Sequence, residues 1–93
     1  MSDPSALDAP LNVTEGKILV VQDAEGNPAQ GSVTMEYYVD KDGVPRFPNI
    51  LASDSPAVSQ SALLTLEQLR FTPPRQAGKP TYVKVKQPFR FGP

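Results

Sequence analysis

Two stretches of this chain alternate apolar and polar residues. From Gly31 to Asp40, Val33, Met35, Tyr37 and Val39 share one parity, and Ser32, Thr34, Glu36, Tyr38 and Asp40 share the other. Successive side chains of a strand point to opposite faces, so this is a half-buried strand with one dry face. Near the carboxyl end, Thr81 to Phe91 alternates again: Val83, Val85, Phe89 and Phe91 against Tyr82, Lys84, Lys86 and Arg90. Pro88 cannot donate to a ladder, so one side of that strand is expected to be unpaired or bulged there. Between the two strands the period changes. Val58, Ala62, Leu66 and Leu69, with Leu63, make the apolar stripe of an amphipathic helix about three turns long. Leu64 falls off the stripe and is expected at the surface. Ser53-Asp54-Ser55-Pro56 supplies capping side chains and a proline for the first turn. Pro73-Pro74 forbids further helix, and Phe71 is expected to fill the gap between helix and sheet.

The punctuation fits those elements. Asp40-Lys41-Asp42-Gly43 is a tight turn, so Val44 to Leu51 reads as the returning strand of a hairpin. Pro45 and Pro48 make that strand irregular or put it at an edge. Lys17 to Gln22 is a short β-branched run that reads as a further strand, closed by the turn signal Asp23 to Pro28. Met1 to Glu15 reads as a linker or loosely attached arm. Leu7, Leu11 and Val13 could dock, without a period to say where. The organisation expected is an arm at 1–15, an extra strand and turn at 16–30, and one domain at 31–93.

Composition narrows the function. A chain of 93 residues supports one thin core and no deep cleft. The net charge of −1 does not favour nucleic acid. Lys79, Lys84, Lys86 and Arg90 make the last strand locally basic, which suits a solvated face with edge protection. Cysteine and histidine are absent, which removes disulfides, Cys/His metal sites and the common nucleophile–base pairs. Asp40 with Asp42, and Asp23 with Glu25, sit in turns and are read as turn formers. No bidentate Glu follows to make a calcium loop, and no glycine-rich phosphate cradle exists. No enzyme activity and no cofactor are expected. No apolar run approaches the ~20 residues of a membrane span. Phe89 and Phe91 belong to the apolar parity and are read as core, whereas Tyr38 and Tyr82 are the candidate interface aromatics.

Three pieces, in order, carry a resemblance. Gly31-Ser32-Val33-Thr34-Met35 runs to Val39-Asp40 with Asp42-Gly43. Ala62-Leu63 leads through Leu66 to Leu69-Arg70-Phe71-Thr72-Pro73. Gly78-Lys79-Pro80 precedes a strand ending Pro88-Phe89-Arg90-Phe91. Together they resemble the C-terminal domain of TonB, the periplasmic energy transducer of Gram-negative bacteria, over about two-thirds of the chain, with Leu69 where that family often has Trp.

The resemblance implies an α+β fold: a three- to four-stranded antiparallel sheet with one main helix packed on one face. The Gly31 strand would lie between the Val44 strand and the final strand. It implies a periplasmic protein-binding domain whose last strand takes up the Ton box of an outer-membrane receptor by strand addition. The edge residues Thr81, Tyr82, Val83, Lys84, Val85, Lys86 and Arg90 would carry the contact. ExbB and ExbD would act only through a membrane-anchored parent chain. The alternative is a structural or scaffold domain of a cell-envelope protein without a transducer role, its edge self-capped by residues 17–22. The family usually has a short helix opening with Tyr-Pro before its first strand, and residues 16–30 lack it. Ile18 to Val21 is therefore expected on a sheet edge. Beside Thr81–Arg90 it would cap the binding edge; beside Val44–Leu51 it would leave that edge open. A monomer or a weak strand-exchanged dimer is expected.

Overall fold

The computed structural model describes residues 7–92. Three long strands and one helix form the body. Strand β2, Gly31–Val39, is central; β3, Pro45–Ser53, and β7, Val83–Phe91, flank it, both antiparallel. Helix α1, Pro56–Gln68, covers one face. Four short strands complete the order: β1 (Val13–Glu15), β4 (Arg70–Phe71), β5 (Arg75–Gln76) and β6 (Lys79–Pro80). This is the expected two-layer α+β arrangement with a three-stranded main sheet.

Parity sets which face is dry. Val33, Met35, Tyr37 and Val39 of β2 are fully buried, as is Val83 of β7, and Phe89 and Phe91 lie in the same core. Val58, Ala62 and Leu66 of α1 close over them, with Leu69 and Phe71 plugging the end. The Phe71 ring lies 6.0 Å from that of Tyr37. Burial pushes the Tyr37 hydroxyl pKa up to about 12. The group is not orphaned, for it donates to Gln87 Oε1 at 2.6 Å.

The helix begins where the capping residues put it. Ser55 is the N-cap, its Oγ accepting from Val58 N at 3.3 Å, and Pro56 opens the first turn. Two helix residues trade the places expected of them. Leu63 is 39% exposed, while Leu64 is half-buried and lines a shallow cleft with Leu19. Leu64 is covered by a segment that the helical period does not reveal.

That segment is residues 17–21. It joins no sheet edge, neither beside β7 nor beside β3; it lies along α1. Lys17 N donates to Gln68 Oε1 at 2.9 Å, Leu19 N to Thr65 Oγ1 at 2.9 Å and Val21 N to Ser61 Oγ at 3.0 Å. Thr65 Oγ1 donates back to the Leu19 carbonyl at 3.1 Å, and Gln68 Nε2 to that of Lys17. Alternate amides of an extended chain are thus met by polar side chains one helical turn apart. Sheet pairing is unnecessary because these backbone groups already have partners.

The amino-terminal arm is also docked wherever it is described; residues 1–6 lie outside the described residues. The Asp8 carboxylate accepts from Ala77 N and Gly78 N, both at 2.8 Å, and Asp8 N donates to Arg75 O at 2.8 Å. Leu11 packs against the core, and Val13 pairs with Phe71. The arm expected to be loose over 7–15 is a strap, because the Pro-rich corner after α1 leaves backbone donors for it to satisfy.

The hairpin between β2 and β3 is locked by Asp40, which is buried. Its Oδ1 accepts from Asp42 N and Val44 N, both at 2.9 Å, and Oδ2 from Arg46 Nε at 3.1 Å. Burial alone would raise its pKa, but the Val44 amide, the Arg46 guanidinium and the Asp42 amide outweigh that and hold it below the ordinary value. Gly43, at φ +82°, presses on the chain after the helix: a Cβ there would stand 2.0 Å from Phe71 O. The Gly43 carbonyl also accepts from Phe71 N at 2.9 Å. Only glycine fits this crossing.

Candidate functional site

The two outer strands of the main sheet differ as docking edges. Strand β7 is nine residues long, and its register with β2 runs unbroken from Gly31↔Phe91 to Val39↔Val83. Among the described residues it pairs with β2 alone, so its other edge is not taken by a strand. Strand β3 also pairs only with β2, but its register shifts twice, between Thr34 and Met35 and between Glu36 and Tyr38 of β2. Pro45 and Pro48 remove donors from β3. A regular ladder can be extended by an incoming strand, and an interrupted one poorly.

The expected edge residues fall into three sets. Val83 is buried and Val85 half-buried, both on the helix-facing side. Lys84, Lys86 and Arg90 are exposed on the open face. Lys84 Nζ lies 3.5 Å from Glu36 Oε1, and Arg90 donates to Ser32 Oγ at 3.4 Å. Thr81 and Tyr82 precede β7: Thr81 N donates to Pro74 O at 3.1 Å, and Tyr82 is exposed. An edge of this kind offers backbone donors and acceptors beside a row of cations, with apolar side chains underneath. Its capacity is to align a chain.

Comparison with known proteins follows from that fold. The family model for the Gram-negative bacterial TonB protein C-terminal matches residues 22–93, more than half of the chain. The chain belongs to the TonB C-terminal family. The searches of curated proteins and of solved structures returned no match. The family match begins at residue 22, so strand β1 and the segment at 17–21 precede the TonB-matched span. The TonB family is one of periplasmic, non-enzymatic protein-interaction domains. No helix among the described residues is long and apolar enough to cross a membrane.

Self-capping by 17–22 is corrected here. Neither sheet-edge position expected for Ile18 to Val21, beside Thr81–Arg90 or beside Val44–Leu51, is taken, because the Leu19 and Val21 amides are held by Thr65 and Ser61 on the helix layer. Gln22 makes only an isolated bridge to Pro28. Sequence reasoning missed the polar triad Ser61, Thr65 and Gln68, since polar residues on a helix read as its wet face. It also missed Phe47. That residue sits in the β3 bulge at φ +54°, 75% exposed, with its ring 6.2 Å from Tyr38 and nearly perpendicular at 77°. The one sequence hint was Pro48, which steers its predecessor away from the right-handed helical region.

Proposed function

We propose that this domain binds an extended segment of a partner protein along the outer edge of β7, in the way the TonB family engages the Ton box of an outer-membrane receptor. The observation that carries the reading is the nine-residue β7, in regular register with β2 and with no strand among the described residues on its other side. Backbone hydrogen bonds supply affinity in such a complex, and alternate side chains supply selectivity. Thr81, Tyr82, Val83, Lys84, Val85, Lys86 and Arg90 line the proposed contact. Energy transmission for uptake, including iron uptake, follows where the domain is part of a membrane-anchored chain driven by ExbB and ExbD. The amino-terminal strap lies against the helix layer and the corner after it, which leaves this edge approachable.

The test is a titration of the labelled domain with a receptor Ton-box peptide. Amide shifts confined to residues 81–90, with slowed exchange of the outward-facing amides, are expected. An unchanged spectrum at saturating peptide would sink the reading in favour of a scaffold domain.

A further inference from the structure

The open face of the sheet, away from α1, carries a second feature, which shares only Thr81 and Tyr82 with the proposed strand-addition contact. At the hairpin end of that face, Tyr38, Phe47, Pro80, Thr81 and Tyr82 line a cleft of about 490 Å³. It crosses the strands instead of following an edge: Tyr38 is on β2, Phe47 on β3, and Pro80 to Tyr82 lead into β7. Phe47 is the decisive residue. A bulky side chain at positive φ is a true backbone outlier, and outliers persist where the surroundings impose them, often at binding sites. Here the bulge imposes it, and the result is a ring held out in solvent at 75% exposure instead of in the core. The near-perpendicular Tyr38–Phe47 pair, with Tyr82 exposed beside it, makes an aromatic notch.

The charge around the notch is positive. Tyr38 lies in register between Arg46 on β3 and Lys84 on β7. Lys86 is two residues beyond Lys84, on the same open face, and Lys79 adjoins Pro80. Against these cations stand the carboxylates of Glu36 and Asp40, one beside Lys84 and the other beside Arg46. The rim is left with a surplus of cations. The lining offers no carboxylate or amide side chain of the sort that grips sugar hydroxyls, only ring faces, a threonine and two phenols.

We propose that this cleft binds an acidic, proline-containing peptide segment in the polyproline conformation. Aromatic-lined surface grooves take such segments because they are already extended and lose little entropy on docking. The cationic rim selects acidic residues between the prolines. The site shares Thr81 and Tyr82 with the start of the proposed β7 contact, but it crosses the strands and does not require strand addition.

The experiment titrates the labelled full chain with the acetylated, amidated peptide (Pro-Pro-Glu)3. Shifts at Tyr38, Phe47, Thr81 and Tyr82, with residues 85–91 unmoved, are expected. The peptides (Pro-Pro-Lys)3 and (Ser-Ser-Glu)3 should each bind about fivefold more weakly or worse. Phe47→Gly removes the ring while accepting its backbone geometry, and it should weaken binding by about fivefold or more with the fold intact. Tyr82→Ala should do the same, and it decides the matter if the Phe47 variant does not fold. No shift at the cleft, equal binding by both variants, or preferential displacement of the peptide by an N-acetylglucosamine oligomer would each overturn the assignment.

Discussion

At the scale of single residues, Asp40 shows how a turn can depend on one charge. Three donors converge on its carboxylate, and it is 4% exposed. Arg46 contributes less than its distance suggests, because its side chain is 56% exposed and water screens the pair. The two amides do most of the stabilising. A carboxylate with a lowered folded-state pKa contributes stability that is present above its unfolded value, near 3.9. That contribution is lost as pH falls through the folded value. Asp40→Asn keeps an acceptor for the amides and removes the charge. Urea denaturation should find the variant about 1 kcal/mol less stable at pH 7. The difference should shrink below about pH 4 and vanish once Asp40 itself is protonated. A constant difference at pH 7 and pH 2.5 would mean that the charge is not what matters.

At the scale of elements, the segment 17–21 is held to α1 by side chains alone. Ser61→Ala with Thr65→Ala would leave the Val21 and Leu19 amides without acceptors. Each lost bond of this kind costs about 1 kcal/mol. Hydrogen exchange at Leu19 and Val21 should therefore quicken by about tenfold or more, while amides of β2 and β7 stay protected. Equal acceleration across the sheet would show that the segment is integral to the core. The same element marks the limit of what the sequence discloses. The strands at 31–39 and 83–91 and the helix from Pro56 were legible because burial on one face writes a period into the residues. So was strand order, through the family pattern. The placement of 17–21 was not, because an apolar β-branched run suits any extended segment, whichever layer it lies on. Leu64 was misread for the same reason, since the side of α1 that the strap covers appears in no helical period. The left-handed Phe47 depends on a register slip between strands, which leaves no trace in β3 beyond its prolines. The edge of β7 was legible as a strand and as a basic stripe; that no second strand among the described residues pairs with it needed the coordinates.

At the scale of the whole molecule, the edge that would recruit a partner must also refuse other copies of the same chain. Lys84, Lys86 and Pro88 would blunt such self-pairing, by charge and by a missing donor. Replacing all three by Thr should convert a monomer into a concentration-dependent dimer at micromolar levels in sedimentation velocity, through pairing of β7 with its counterpart. A variant that stays monomeric at the highest soluble concentration would show that the guard lies elsewhere. The open face adds to the same defence, since its surplus cations repel a second open face.

The docked amino-terminal strap also stores length. Residues 7–22 contribute no strand to the central β3–β2–β7 sheet; the clasp at Asp8, the short β1–β4 bridge and the side-chain bonds to α1 hold them folded back. Peeled away in sequence, they would release roughly 50 Å of extended chain before any tension reached Gly31, so a pull on that end would undo the strap before it loaded the sheet.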